Sequence, residues 1–202
     1  MFNHSFWSMD GAAVGQRQPL EMLASTGMAA GAIALFWRVS HGNTLRYTFV
    51  PAMGLSYLCH MASTAKQAPD PKEVLPLYQV ALASQFLHFT EEFATGFYRR
   101  WPEEIFHTEP YDLNTFVAIN MVSYAAFTLA GLAMAKGVRP LLLIAWFFML
   151  MGVLDNAIQH PIYALKVRGY FPGLYSSSLY WVLGPMLVRR LWAARRPTDR
   201  AA

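Results

Sequence analysis

Six apolar runs, each close to the length of a membrane-crossing helix, are separated along the chain by short polar breaks. They cover residues 20–39, 47–63, 74–98, 114–135, 140–165 and 174–192. A span needs about 20 apolar residues at helical rise, so the pattern predicts an all-α integral membrane protein, a single bundle of about six transmembrane helices. Residues 1–19 alternate polar and aromatic positions with no helical period and are expected on the membrane surface or without regular structure. The helical domain is then 20–192, and 193–202 form a basic tail.

The breaks carry their own chemistry. Lys66-Gln-Ala-Pro-Asp-Pro-Lys72 holds two prolines that cannot continue a helix, and Lys136-Gly-Val-Arg139 is a tight connection. The loop after the third run holds Arg99, Arg100, Pro102, Glu103, Glu104, Glu109 and Asp112, and is expected to be hydrated. Within the first run, Gly27 and Gly31 have the small-xxx-small spacing that lets a second helix approach, so a helix contact is expected there.

Composition sharpens the class. The 202-residue chain is 55% hydrophobic and 14% charged, well under the roughly 25% charge of a soluble domain. Its net charge of +4 is concentrated at the C-terminal end, in Arg189, Arg190, Arg195, Arg196 and Arg200, which suits an anionic leaflet and not nucleic acid. With six spans, Arg17, Lys66, Lys72, Lys136, Arg139 and those five arginines share one side. Arg38, Arg46, Arg99, Arg100, Lys166 and Arg168 share the other, and the excess places both termini in the cytoplasm. The single cysteine, Cys59, excludes an intramolecular disulfide framework, and no cleavable signal peptide is expected from the start of the chain.

Against that apolar background, Gln85 to Thr95 stands out. His88, Glu91 and Glu92 stand at i, i+3 and i+4, on one stripe of a helix. Ionisable groups at membrane depth are costly and mark functional sites. Counted back from the outer ends at 1.5 Å per residue, His88 to Glu92 lie roughly 10–16 Å inside Arg99, and Asp155 to His160 roughly 9–16 Å inside Lys166. Asn120 falls roughly 12 Å inside Asp112, so it shares the level. His60 lies six residues from Lys66 at the other end and is left out. The predicted centre is therefore His88, Glu91, Glu92, Asp155 and His160, with Asn120, Tyr124, Asn156 and Tyr170 as substrate-orienting residues. Polar contacts between membrane helices average under about 1 kcal/mol, too little to repay three carboxylates and two histidines as packing glue alone. Pro161 removes a backbone donor and frees the Ala157 carbonyl beside His160, which supports a pocket. Tyr170-Phe-Pro-Gly173 reads as a turn over it, a lid or mouth.

His88-Phe-Thr-Glu91-Glu92 resembles the H-x-x-E-E signature of a family of multi-pass membrane proteins named for that motif. A further histidine, here His160, and a Y-x-P-G element, here Tyr170 to Gly173, extend the resemblance over about 74–192. It implies a helical membrane fold and a shared site, with no substrate attached, and leaves residues 1–68 as a variable extension. Membrane sterol isomerases of the emopamil-binding type are a looser, fold-level likeness.

Three chemistries follow. Two neighbouring carboxylates in a low-dielectric site split into an acid and a base, which suits isomerisation or cyclisation of a lipophilic isoprenoid or sterol-like molecule. The same His88, Glu91, Glu92, Asp155 and His160 form a mixed imidazole and carboxylate set for a divalent metal, zinc or iron, as in a hydrolase or oxidoreductase. Without an enzyme, the acids serve a transporter or a subunit that binds a lipid or pigment. The partners in every case are a lipophilic small molecule and membrane lipids.

Overall fold

A computed structural model describes residues 8–193, and their side chains from residue 18. Among these residues every regular element is helical. Helix α1 (Ser8–Val39) is followed by a short α2 (Thr44–Tyr47), α3 (Phe49–Ala62), α4 (Pro71–Thr95), a short α5 (Phe97–Arg100) continued by a wide π turn (Trp101–Ile105), and α6 (Leu113–Lys136). A continuous helical run then comprises a 3₁₀ turn (Arg139–Leu141), α7 (Leu142–Phe147), a π segment (Phe148–Asp155) and α8 (Asn156–Lys166). The short α9 (Leu174–Ser177) and α10 (Tyr180–Ala193) complete the fold.

Sequence punctuation sets these boundaries. Asp70 accepts from the backbone N–H of Lys72 at 2.9 Å ahead of Pro71 at the first position of α4, and Asp112 accepts from Thr115 N–H at 2.9 Å at the start of α6. Gly96 (φ 79°) and Gly137 (φ 68°) end the same two helices in the left-handed conformation.

Three helices are long and apolar enough to cross a membrane: Gln18–Val39, Leu113–Lys136 and Arg139–Lys166. The expected six uniform spans are therefore not what the helices present. α3 and α10 have 14 residues each, and at 1.5 Å per residue cover only about 21 Å. α4 has the length, but His88, Glu91, Glu92 and its charged first turn dilute its hydropathy. The expected single helix over 174–192 breaks between α9 and α10, where Ser177 and Ser178 turn their hydroxyls onto the carbonyls of Leu174 (2.9 Å) and Tyr175 (2.6 Å).

Two further expectations are corrected. The 1–19 segment is helical from Ser8 on, because Ala, Gln and Arg sustain a helix by propensity without an apolar period. Residues 1–7, and 194–202 with Arg195, Arg196 and Arg200, lie outside the described residues. Gly27 and Gly31 meet no helix: a Cβ on either finds nothing within 4 Å. α1 packs on α3 through the stripe of Ser25 and Ala29 instead.

The helical run from Arg139 to Lys166 is central, with 56% of its most apolar window buried against 11% for α1. Trp146, Phe148 and Met149 from it pack with Tyr78 of α4 and with Tyr180 and Leu187 of α10. A second cluster of Leu45, Trp101, Ile105, Tyr111, Tyr163 and Phe171 closes the end that bears the π turn. Leu20, Leu23, Val122, Leu132 and Val182 stay largely exposed, an apolar exterior suited to lipid.

Candidate metal centre

Beyond Leu82, the buried residues of α4 are Gln85, His88 and Glu92, at i, i+3 and i+7. Gln85 is held at both ends, its carbonyl by the Tyr124 hydroxyl (3.1 Å) and its Oε1 by the Tyr180 hydroxyl (2.7 Å). That fixes the helix rotation and aims His88 and Glu92 at α8, which presents His160. Glu92 Oε1 lies 3.4 Å from His88 Nε2 and 3.4 Å from His160 Nε2, and the two imidazole rings meet edge to face at 4.7 Å. All three residues are buried, Glu92 being 7% exposed.

Outer hydrogen bonds fix which nitrogens carry protons. His160 Nδ1 lies 2.6 Å from the Pro172 carbonyl, which can only accept, so His160 carries its hydrogen on Nδ1. His88 Nδ1 lies 2.8 Å from Ser176 Oγ. The Ser176 hydroxyl donates to Glu91 Oε2 at 2.5 Å, so it accepts from His88 Nδ1–H. In the neutral imidazoles both Nε2 atoms are then bare, and they face the same carboxylate oxygen. His88 Nε2 is a buried nitrogen without a hydrogen-bond partner. Three acceptors converge with no donor between them, which is the arrangement of a cation's ligands.

Spacing matches as well. An ion about 2.0–2.1 Å from its ligands sets them about 3.4 Å apart when tetrahedral and about 3.0 Å apart at adjacent octahedral corners. The two 3.4 Å edges fit the tetrahedral case. Among the described residues, the group whose ligand atoms all lie within 4.8 Å of one another is His88, Glu92 and His160.

Gly173 makes this packing possible. It adopts φ 85°, and a Cβ there would stand 2.6 Å from His160 Nδ1 and 2.8 Å from His88 Cε1. Only glycine lets the backbone lie against both rings.

Glu91 is not part of the centre. It turns to the other side of α4 and accepts from the Tyr170 hydroxyl (2.7 Å), Tyr175 N–H (3.1 Å), Ser176 N–H (2.8 Å) and the Ser176 hydroxyl. Four donors saturate it, and it anchors the turn and α9 onto α4. Burial holds the Tyr170 phenol above the usual tyrosine value, so it remains a donor to Glu91. Tyr170 thus belongs to this anchor and lines no substrate cavity. The turn it begins lies on the Nδ1 side of the histidines.

The remaining predicted residues line a cavity of about 120 Å³ that Glu92 and His160 also border. Its lining includes Glu92, Asn120, Tyr124, Asp155, Asn156 and His160, so residues matched by depth in the sequence do meet. Asp155 lines the cavity but stands outside the cluster of ligand atoms. The helix continues through Pro161 within α8, and the irregular backbone is the π segment before it. There the Gly152 carbonyl accepts from Asn156 Nδ2 at 3.0 Å.

Gln85, Pro172, Gly173 and Ser176 complete the site around its three residues. Gln85 carried a readable signal, being on the His88 and Glu92 stripe. Ser176 carried none, since it reaches His88 from 88 residues away. His60 lies elsewhere, between Ser25 Oγ (3.0 Å) and Thr64 Oγ1 (2.7 Å).

No curated protein and no solved structure matches the chain. Residues 80–188, more than half of it and including every ligand of the centre, match the family described as "Protein of unknown function with HXXEE motif", and the chain belongs to that family.

Proposed function

We propose that the protein is a membrane-embedded metalloenzyme acting on a lipophilic small molecule. His88, Glu92 and His160 hold one divalent cation, zinc by ligand spacing, with a remaining position open to the cavity. A cation so held supplies Lewis acidity to a bound polar group. Asn120, Asn156 and Tyr124 orient the substrate, and the aromatic walls exclude water. The convergence of two bare Nε2 atoms on one carboxylate oxygen carries this reading.

The substrate arrives from the bilayer. Asn120, Ser123, Asp155, Asn156 and Gln159 are half-buried in the cavity's lining, and Val122, Ile158 and Ile162, close to them along the chain, are exposed. We further propose that α3, α4 and α10 complete a six-segment bundle around the three long spans, with both termini on the cytoplasmic side.

Elemental analysis of detergent-purified protein tests the proposal. One zinc per chain is expected, lost in His88→Ala, Glu92→Gln and His160→Ala and kept in Glu91→Gln. Wild-type protein that stays metal-free after incubation with zinc would overturn it. The second reading would then stand: a proton shared by Glu92 and a histidine, with Asp155 as the second carboxylate in the cavity, for acid–base isomerisation of an isoprenoid or sterol-like substrate.

A further inference from the structure

We propose that the cavity selects a lipophile whose polar end is a protonated amine, with Asp155 as its counter-ion. This rests on the reading of the cavity as the site of a lipophilic small molecule, and it concerns Asp155, which lines that cavity outside the cluster of Glu92 and the two histidines.

The charge inventory of the cavity is one-sided. Glu92 and Asp155 both line it, and no lysine or arginine does. Three basic residues at that end of the bundle are engaged elsewhere. Lys166 donates to the Ile105 carbonyl at 2.8 Å, Arg100 pairs with Glu104 at 2.6 Å, and the Arg99 guanidinium lies over the Tyr98 ring at 5.5 Å. Among the described residues Asp155 has no ion pair, and its side-chain partner is the neutral Gln159 one turn on. A carboxylate inside the Arg139–Lys166 span is costly without a partner of opposite charge.

The neutral groups point to the same ligand. Asn120 and Asn156 each commit an Nδ2 hydrogen to the carbonyl one turn back, at 2.9 and 3.0 Å, leaving their Oδ1 atoms to accept from a ligand. Phe97, Trp101, Tyr111 and Phe116 wall the cavity with aromatic rings that also attract a cation. An ammonium with several N–H donors satisfies Asp155 and both amide oxygens. At Asp155 an anionic headgroup would meet a carboxylate, with no lysine or arginine in the lining to offset it.

Full-length protein in a neutral detergent, with and without zinc, is titrated with dodecylamine and dodecanol by calorimetry. Saturable dodecylamine binding at least about ten-fold tighter than dodecanol is expected in both states. Asp155→Asn is expected to bring amine affinity down to that of the alcohol while zinc content stays at one per chain, and Asp155→Glu to keep the preference. Equal affinity of wild-type protein for amine and alcohol overturns the proposal whatever the variants do, as does an amine preference that survives in Asp155→Asn. Loss of zinc with an intact, Asp155-dependent amine preference refutes the metal reading alone and upholds this one.

Discussion

Around His60 every hydrogen has an acceptor; around His88 and His160 acceptors face one another. The first cluster is a one-way chain. Trp146 Nε1–H donates to Thr64 Oγ1 (3.1 Å), and Thr64 donates in turn to His60 Nδ1. His60 Nε2–H then donates to Ser25 Oγ, whose hydroxyl donates to the Glu21 carbonyl (3.0 Å). It leaves no donor over, and it ties α7, α3 and α1 together. In the second cluster the same residue type has the opposite tautomer, imposed by Pro172 and Ser176, and its Nε2 atoms are left bare toward Glu92. A buried histidine therefore means different things depending on whether its neighbours close its hydrogen bonds. The closed cluster stabilises helix packing, whereas the open one holds potential for a ligand at a cost to stability.

Substitutions separate the two. His88→Ala or His160→Ala is expected to lower zinc affinity by about three orders of magnitude or more, since one of three ligands is gone, with competition against a chelator as the assay. Gly173→Ala comes next. Its Cβ would enter both imidazole rings at a left-handed φ, and a loss of about 3 kcal/mol or more in unfolding free energy, together with weakened zinc binding, is expected from denaturant melts. His60→Ala is expected to cost about 2–3 kcal/mol, by breaking the chain between Ser25 and Thr64, while zinc affinity is unchanged. Ser176→Ala removes the acceptor that orients His88, and a fall of about 10–100-fold in zinc affinity is expected, with a loss of about 1–2 kcal/mol in stability from the unpaired Nδ1–H. The smallest effect is the most diagnostic. Metal-free Glu92→Gln should melt no lower than metal-free parent protein, because the substitution introduces a donor among bare acceptors.

Much of this contrast was legible in the chain and some of it was not. Counting residues back from the span ends brings Asn120, Asp155, Asn156 and His160 to the level of Glu92 and leaves out His60, because helical rise converts sequence position directly into depth. Rotation is harder. Glu91 and Glu92 stand at i+3 and i+4 from His88, on either side of its stripe, and which one joins it depends on what packs against each flank. That packing comes from Ser176 and Tyr180, more than 80 residues away. The turn at Gly173 was readable from Pro-Gly, but its place against the Nδ1 atoms was not, since it depends on how α9 is drawn onto Glu91. The wide turn before Pro161 leaves no mark in residue type, because Phe148 to Asp155 read as an ordinary apolar helix.

The central claim is that the open cluster, and not the closed one, takes the cation. Cobalt(II) in place of zinc tests it by visible absorption, because tetrahedral cobalt absorbs far more strongly than octahedral. The account predicts an intense tetrahedral spectrum that saturates at one cobalt per chain, persists in His60→Ala and vanishes in Glu92→Gln. Absence of that spectrum in the parent protein, or its survival in Glu92→Gln, would contradict it.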